Sequence, residues 1–188
     1  MKSEVVLIWL CVGIFVFSLI MLVSGIFRTG YVTEASTVSN VTISTYFSIA
    51  MSSNLTAGIL FGAVNSTVAT DLNATGNHGG SSLSQYNLTV SVDSNTNVSF
   101  NISANAALTS AGADIIDLGN QSYANATTNS ASVPAVGSQV ALTTDQVNAG
   151  NNIGIGNSNH YRFWLDIPAG QTVGSYNNTI TFNGFAAT

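Results

Sequence analysis

Two hydrophobic patterns divide this chain at Arg28. From Val5 to Phe27 apolar residues follow one another without charge or proline, broken only by Cys11, Gly13, Ser18, Ser24 and Gly25. A run with no polar face encodes a helix surrounded by apolar material, not an amphipathic surface helix. Its 23 residues rise about 34 Å at ~1.5 Å each, enough for a hydrocarbon core of roughly 30 Å. A cleavable secretory signal has an apolar core of about 7 to 15 residues, so the run reads as a retained helix.

Beyond residue 28 the period changes to two. Val41, Ile43, Phe47, Ile49 and Met51 alternate with Ser, Thr and Ala, which predicts a strand with one buried face. Leu88, Val90 and Val92 alternate again. After the polar run Asp93-Ser94-Asn95-Thr96-Asn97 come Val98, Phe100 and Ile102, and the two matched runs predict a hairpin. Tyr161, Phe163, Leu165 and Ile167 form another strand, stopped by Pro168-Ala169-Gly170, with Tyr176, Ile180 and Phe182 in a last one. Shorter candidates lie at 59–61, 115–118 and 140–142. Stretches rich in Gly, Ser and Asn, at 73–84, 119–138 and 148–159, read as surface loops. Seven or eight short strands predict a mainly β protein: one antiparallel immunoglobulin-like sandwich behind one long hydrophobic α-helix. The domain reading is a helix at 1–28, a linker at 29–38 and a sandwich at 39–188.

Charge sharpens the division. Charged residues are 6 % of the chain, against ~25 % in ordinary soluble proteins. Past Arg28 the only cation is Arg162, against Glu34 and six aspartates. Phosphate binding needs clustered Lys and Arg, so nucleic acid is no partner. The single cysteine, Cys11, lies in the apolar run and excludes an internal disulfide or a Cys-based zinc site.

Where charge is missing, Asn-x-Ser/Thr triplets are dense. They begin at Asn40, Asn54, Asn65, Asn73, Asn87, Asn97, Asn101, Asn120, Asn125 and Asn177. Ten triplets are about twice what chance placement gives, and each is an acceptor for an N-linked glycan in an exported domain. Asn, Ser and Thr are equally at home in β-turns and on exposed strand faces. The acceptors place the N-terminus inside and the remainder at the cell surface.

Motifs for chemistry are scarce. His78 in Gly76-Asn77-His78-Gly79-Gly80 lacks the Gly-x-Ser-x-Gly elbow that an esterase would need, and reads as a turn. Gly154-Ile155-Gly156 lacks the third glycine of a dinucleotide loop and reads as a flexible loop. His160, Arg162, Trp164 and Asp166 share one parity and predict a polar strand face with an Arg162–Asp166 or Arg162–Trp164 contact. Asp114, Asp117 and Asn120 offer oxygens to calcium without the rest of a binding-loop pattern. The expectation is no enzyme, no catalytic or metal site and no cofactor.

The apolar helix followed by Thr29-Gly30-Tyr31-Val32-Thr33-Glu34-Ala35-Ser36 resembles the N-terminal region of archaeal flagellins and type IV pilins. In that family the helix is a membrane anchor before assembly and the packed centre of a filament afterwards, with a glycosylated β-sandwich outside. Lys2-Ser3-Glu4 stands where the family carries its basic processing site. Residues 161–170 with 174–182 resemble the closing strand pair of immunoglobulin-like domains in prokaryotic surface proteins. The resemblance implies a structural subunit of an extracellular filament, a homopolymer packed through Ile8, Phe15, Phe17, Ile20, Leu22 and Ile26. The alternative is a membrane-anchored surface glycoprotein, either a cell-coat component or an adhesin-like binding module.

Overall fold

A computed structural model describes residues 2–26, 37–64 and 68–188, with side chains in the first helix described from 3 to 22. Two compact units emerge, Met1–Thr42 and Ile43–Thr188. In the first, helix α1 runs Lys2–Ile26 and takes in the polar start and the apolar run as far as Ile26. The expected linker at 29–38 falls almost wholly outside the described residues.

The second unit is an antiparallel β-sandwich. Its larger sheet has the order β1 (Ile49–Met51), β3 (Tyr86–Val90), β10 (Ser158–Ile167), β7 (Gln121–Ala126), β8 (Val140–Ala141). Strand β10 is the longest, and its free side is shared. β3 pairs with its first half, from Ser158↔Thr89 to Tyr161↔Tyr86. β2 (Ala69–Asn73) pairs with its second half, starting at Trp164↔Asn73. The second sheet is β12 (Ile180–Ala186), β4 (Val98–Ala104), β9 (Val147–Ile153). A small third sheet joins β11 (Tyr176–Asn177), β5 (Leu108–Ser110) and β6 (Ile115–Ile116). A short helix α2, Ser53–Ala57, is capped by Ser52, whose side chain accepts from Leu55 N. That cap seats Leu55 in the core.

The core lies between the two main sheets. Tyr86, Leu88, Val90, Tyr123, Tyr161 and Phe163 from one meet Val98, Phe100, Ile102, Ala149 and Ile153 from the other. Phe163 is ringed by tyrosines: Tyr86 stands edge-on at 5.5 Å and Tyr161 stacks at 6.3 Å. Tyrosine hydroxyls in a core need partners. Here Tyr161 OH donates to Ala149 O at 2.8 Å and Tyr123 OH to Asn148 O at 3.3 Å. Both carbonyls belong to β9, so the phenols tie one sheet to the other. Burial raises both phenol pKa values above the ordinary range.

Several expectations need correction. Leu88–Val90 and Val98–Ile102 do lie in strands, but not in a hairpin, and Val92 falls beyond the end of β3 and is exposed. β3 pairs with β1 and β10, and β4 pairs with β12 and β9. The polar run 93–97 is an arch that carries the chain from one sheet to the other, because both strands bury large residues that face each other across the core. The pair formed by β10 and β12 likewise sits in opposite sheets, joined by the Tyr161–Phe182 edge contact at 5.1 Å. The strand predicted from Val41 starts only at Ile49, since residues 37–48 join no ladder. Segment 59–61 is not a strand, although Ile59 and Phe61 pack on the core. Two predicted loops hold strands: 119–138 contains β7, and 148–159 contains most of β9.

Candidate functional site

The only cation in the sequence of the second unit, hereafter the head, occupies a buried polar centre. Arg162 sits on β10 with 2 % of its surface exposed. Its guanidinium donates to five main-chain carbonyls and to no carboxylate. Nε reaches Asn77 O at 2.9 Å. Nη1 reaches Pro134 O at 2.8 Å and Ala131 O at 3.3 Å, while Nη2 reaches Ser130 O at 2.7 Å and Ser82 O at 3.0 Å. The planar fork has five N–H donors, and each is used. Burial pulls its pKa down from the usual value, yet arginine stays charged in proteins, and the carbonyl dipoles supply the compensation. Neither contact expected on this polar strand face forms. Arg162 and Trp164 are both buried, and the Arg162–Asp166 and Arg162–Trp164 pairings are replaced by carbonyls from two covering loops, 77–82 and 130–134. Asp166 instead accepts from Asp71 N at 2.7 Å.

Asn77 completes this centre. Strands β2 and β3 leave a gap beside Phe163, and the Asn77 side chain fills it. Its Nδ2 donates to Phe163 O at 2.6 Å and its Oδ1 accepts from Phe163 N at 2.8 Å, as a neighbouring strand would. The segment around His78 is thus a turn, with His78 exposed. Gly76 is obligatory there: a Cβ at this position would lie 2.5 Å from the Tyr86 ring. The whole arrangement holds loops down, and nothing in it can abstract a proton or attack a substrate.

A shallow open groove of about 440 Å3 lies at the β9–β10 end, lined by Thr127, Asn152, Asn157, Ser158 and His160. Gly154-Ile155-Gly156 is the turn there, closed by Asn157 N donating to Gly154 O at 3.0 Å. His160 Nδ1 is buried without a partner, and burial holds its imidazole pKa below the ordinary value. No carboxylate lines this groove. Asp114 accepts from Ser110 Oγ, and Asp117 precedes the 3-10 turn Leu118–Asn120. Among the described residues no group of three His, Cys, Asp or Glu could hold a metal.

The acceptor asparagines are better placed. Asn40, Asn73, Asn125 and Asn177 are exposed, and Asn54, Asn87, Asn97, Asn101 and Asn120 are half-buried. Asn65 lies outside the described residues. The two fully buried asparagines, Asn77 and Asn159, belong to no triplet. Asn54 and Asn97 already donate their Nδ2, to Gln85 and Asn152. No such donation occupies the four exposed ones among the described residues.

In the other unit, Ser3–Leu22 is long and apolar enough to cross a membrane. Its large apolar side chains are 46–71 % exposed, including Ile8, Phe15, Phe17, Ile20 and Leu22. Ile26 ends the helix, and its side chain lies outside the described residues. The protein is therefore an antiparallel β-sandwich with an apolar helix ahead of it in sequence. Comparison with protein-family models, with curated proteins and with solved structures returns no match.

Proposed function

We propose that this chain is a structural subunit of an extracellular filament, assembled through α1 with copies of itself. The observation that carries the reading is the helix: an apolar rod exposed on every described side, from Val5 to Leu22. Burial is worth about 25 cal/mol per Å2 of apolar surface, so such a rod does not stay in water alone. Lipid satisfies it before assembly, and other copies of the helix satisfy it afterwards. The head supports this role by what it offers. Its cation is buried, its few remaining charges are acidic, and the acceptors Asn73, Asn125 and Asn177 are exposed on it. In this reading the head is displayed at the cell surface and carries N-linked sugars.

The alternative, a membrane-anchored surface glycoprotein, is favoured by one feature. Packed helices often meet along a small-xxx-small ridge, and Cys11, Gly13, Ser18, Ser24 and Gly25 form none. Sedimentation of surface material without detergent separates the two. Filament subunits pellet as large assemblies. An anchored glycoprotein stays in the membrane fraction and leaves it as monomers in detergent.

A further inference from the structure

The segment Thr37–Ile43 is written as a strand and has no sheet. Thr37, Val38, Val41, Thr42 and Ile43 are β-branched, the residue type most at home in strands. Yet it joins no ladder, and among the described residues none of its backbone groups has a hydrogen-bond partner. Val38, Val41 and Ile43 are 92, 81 and 80 % exposed. A strand sequence without a partner points to a partner elsewhere.

The head has one edge that fits. Protein edges are normally blunted by shortness, charge, proline or bulges. β1 and β8 are only three and two residues long. β2 carries Asp71 in a left-handed conformation, with φ 52°. The ladder of β9 is broken by register shifts opposite Val98–Asn101. β12 has none of these defences. Its seven residues pair with β4 in unbroken register from Ile180↔Ala104 to Ala186↔Val98. It contains no charge and no proline, and its outer side pairs with nothing among the described residues.

We propose that Thr37–Ile43 of one chain adds to the β12 edge of a second copy, extending its sheet by one strand. Seven residues match seven, about 23 Å at ~3.3 Å each. Each head carries six aspartates against Arg162, so copies repel over most of their surface. Two uncharged strips meet without that cost. Asn40 has the opposite parity to Val41 and Ile43, so a sugar there stands on the other face of the added strand. The inference rests on the filament reading, because α1 packing is what brings a neighbour's strap to the edge.

The test is disulfide trapping in the full chain, in a Cys11→Ala background. Thr42→Cys is combined in turn with Thr181→Cys, Asn183→Cys or Phe185→Cys, which sample the register along the exposed face of β12. Mild oxidation of pelleted material should give a ladder of linked multimers for one of the three, collapsed by reductant. A fast-migrating monomer with an internal disulfide, or fibres that give no ladder with any pair, overturns the strand addition and leaves the filament intact. Absence of any pelleting material overturns the filament reading and the strand addition with it. Val41→Asp with Ile43→Asp should also cut the pelleted fraction roughly tenfold, with the melting temperature of the head unchanged. An undiminished pellet contradicts the proposal.

Discussion

Arg162 joins two loops to a strand with one side chain, and a substitution there tests whether the loops depend on it. Arg162→Met strips five carbonyls of their donor. At about 1–3 kcal/mol for each buried polar group left unpaired, partly relieved by water, the loss is about 3 kcal/mol or more. Arg162→Lys keeps the charge but has no planar fork, and should fall between the two. Urea unfolding of the full chain in detergent reads both, and a midpoint unchanged in Arg162→Met contradicts the assignment. Gly76→Ala should cost about 2 kcal/mol in the same assay, because its Cβ meets the Tyr86 ring. His160 gives the pH dependence. Burial lowers its pKa, so the unfolded chain takes up the proton first as pH falls. Its contribution is whole above the ordinary imidazole value and is lost as pH drops through it towards the folded-state value. His160→Gln should flatten the change in urea midpoint between about pH 7.5 and 5.5. An equal slope in the variant rules His160 out as its source. The turn at Gly76–Gly80 was legible in the sequence, but the Arg162 centre was not. Even parity placed Arg162 on the face opposite the core, and no pattern reveals that loops of Gly, Ser and Asn fold over that face and turn their carbonyls inward.

At the scale of elements, periodicity marks the centres of the long strands and fails at their ends, where Val41, Ile43, Met51 and Val92 are exposed, and it does not say which strands are neighbours. Leu88, Val90, Val98, Phe100, Ile102, Tyr161 and Phe163 are all core residues, as their alternation implies. The arch at 93–97 was misread because a polar five-residue turn suits a hairpin and a crossing between sheets equally. Strand β7 is hidden in the sequence because Gln-Ser-Tyr-Ala-Asn-Ala carries one large apolar side chain, Tyr123, and its other buried members are the polar Gln121 and the small Ala124. Helix α1 was fully legible, since a run with no polar face leaves no register to decide. It also gives the clearest element-level prediction. Phe15→Asp places a charge at the middle of the run, at about 3 kcal/mol for insertion into lipid. The variant should be lost from both membrane and pellet, while an Asn125→Gln head substitution leaves both unchanged. Retention of the Phe15→Asp chain in either fraction contradicts a role for the helix as anchor or core.

In the molecule as a whole, the two units call for different surroundings. One is too apolar for water, and the other is a sandwich whose few charges are acidic and whose sequence is rich in glycan acceptors. The filament reading joins them by packing rods inside and heads outside, with a strap from each chain completing its neighbour's sheet. Direct imaging of detergent-free surface material by electron microscopy tests this most directly. Fibres containing this chain are expected, with a continuous core of packed helices and a sheath of β-sandwich heads. Heads standing singly on membrane, with no helix core between copies, would contradict the filament reading.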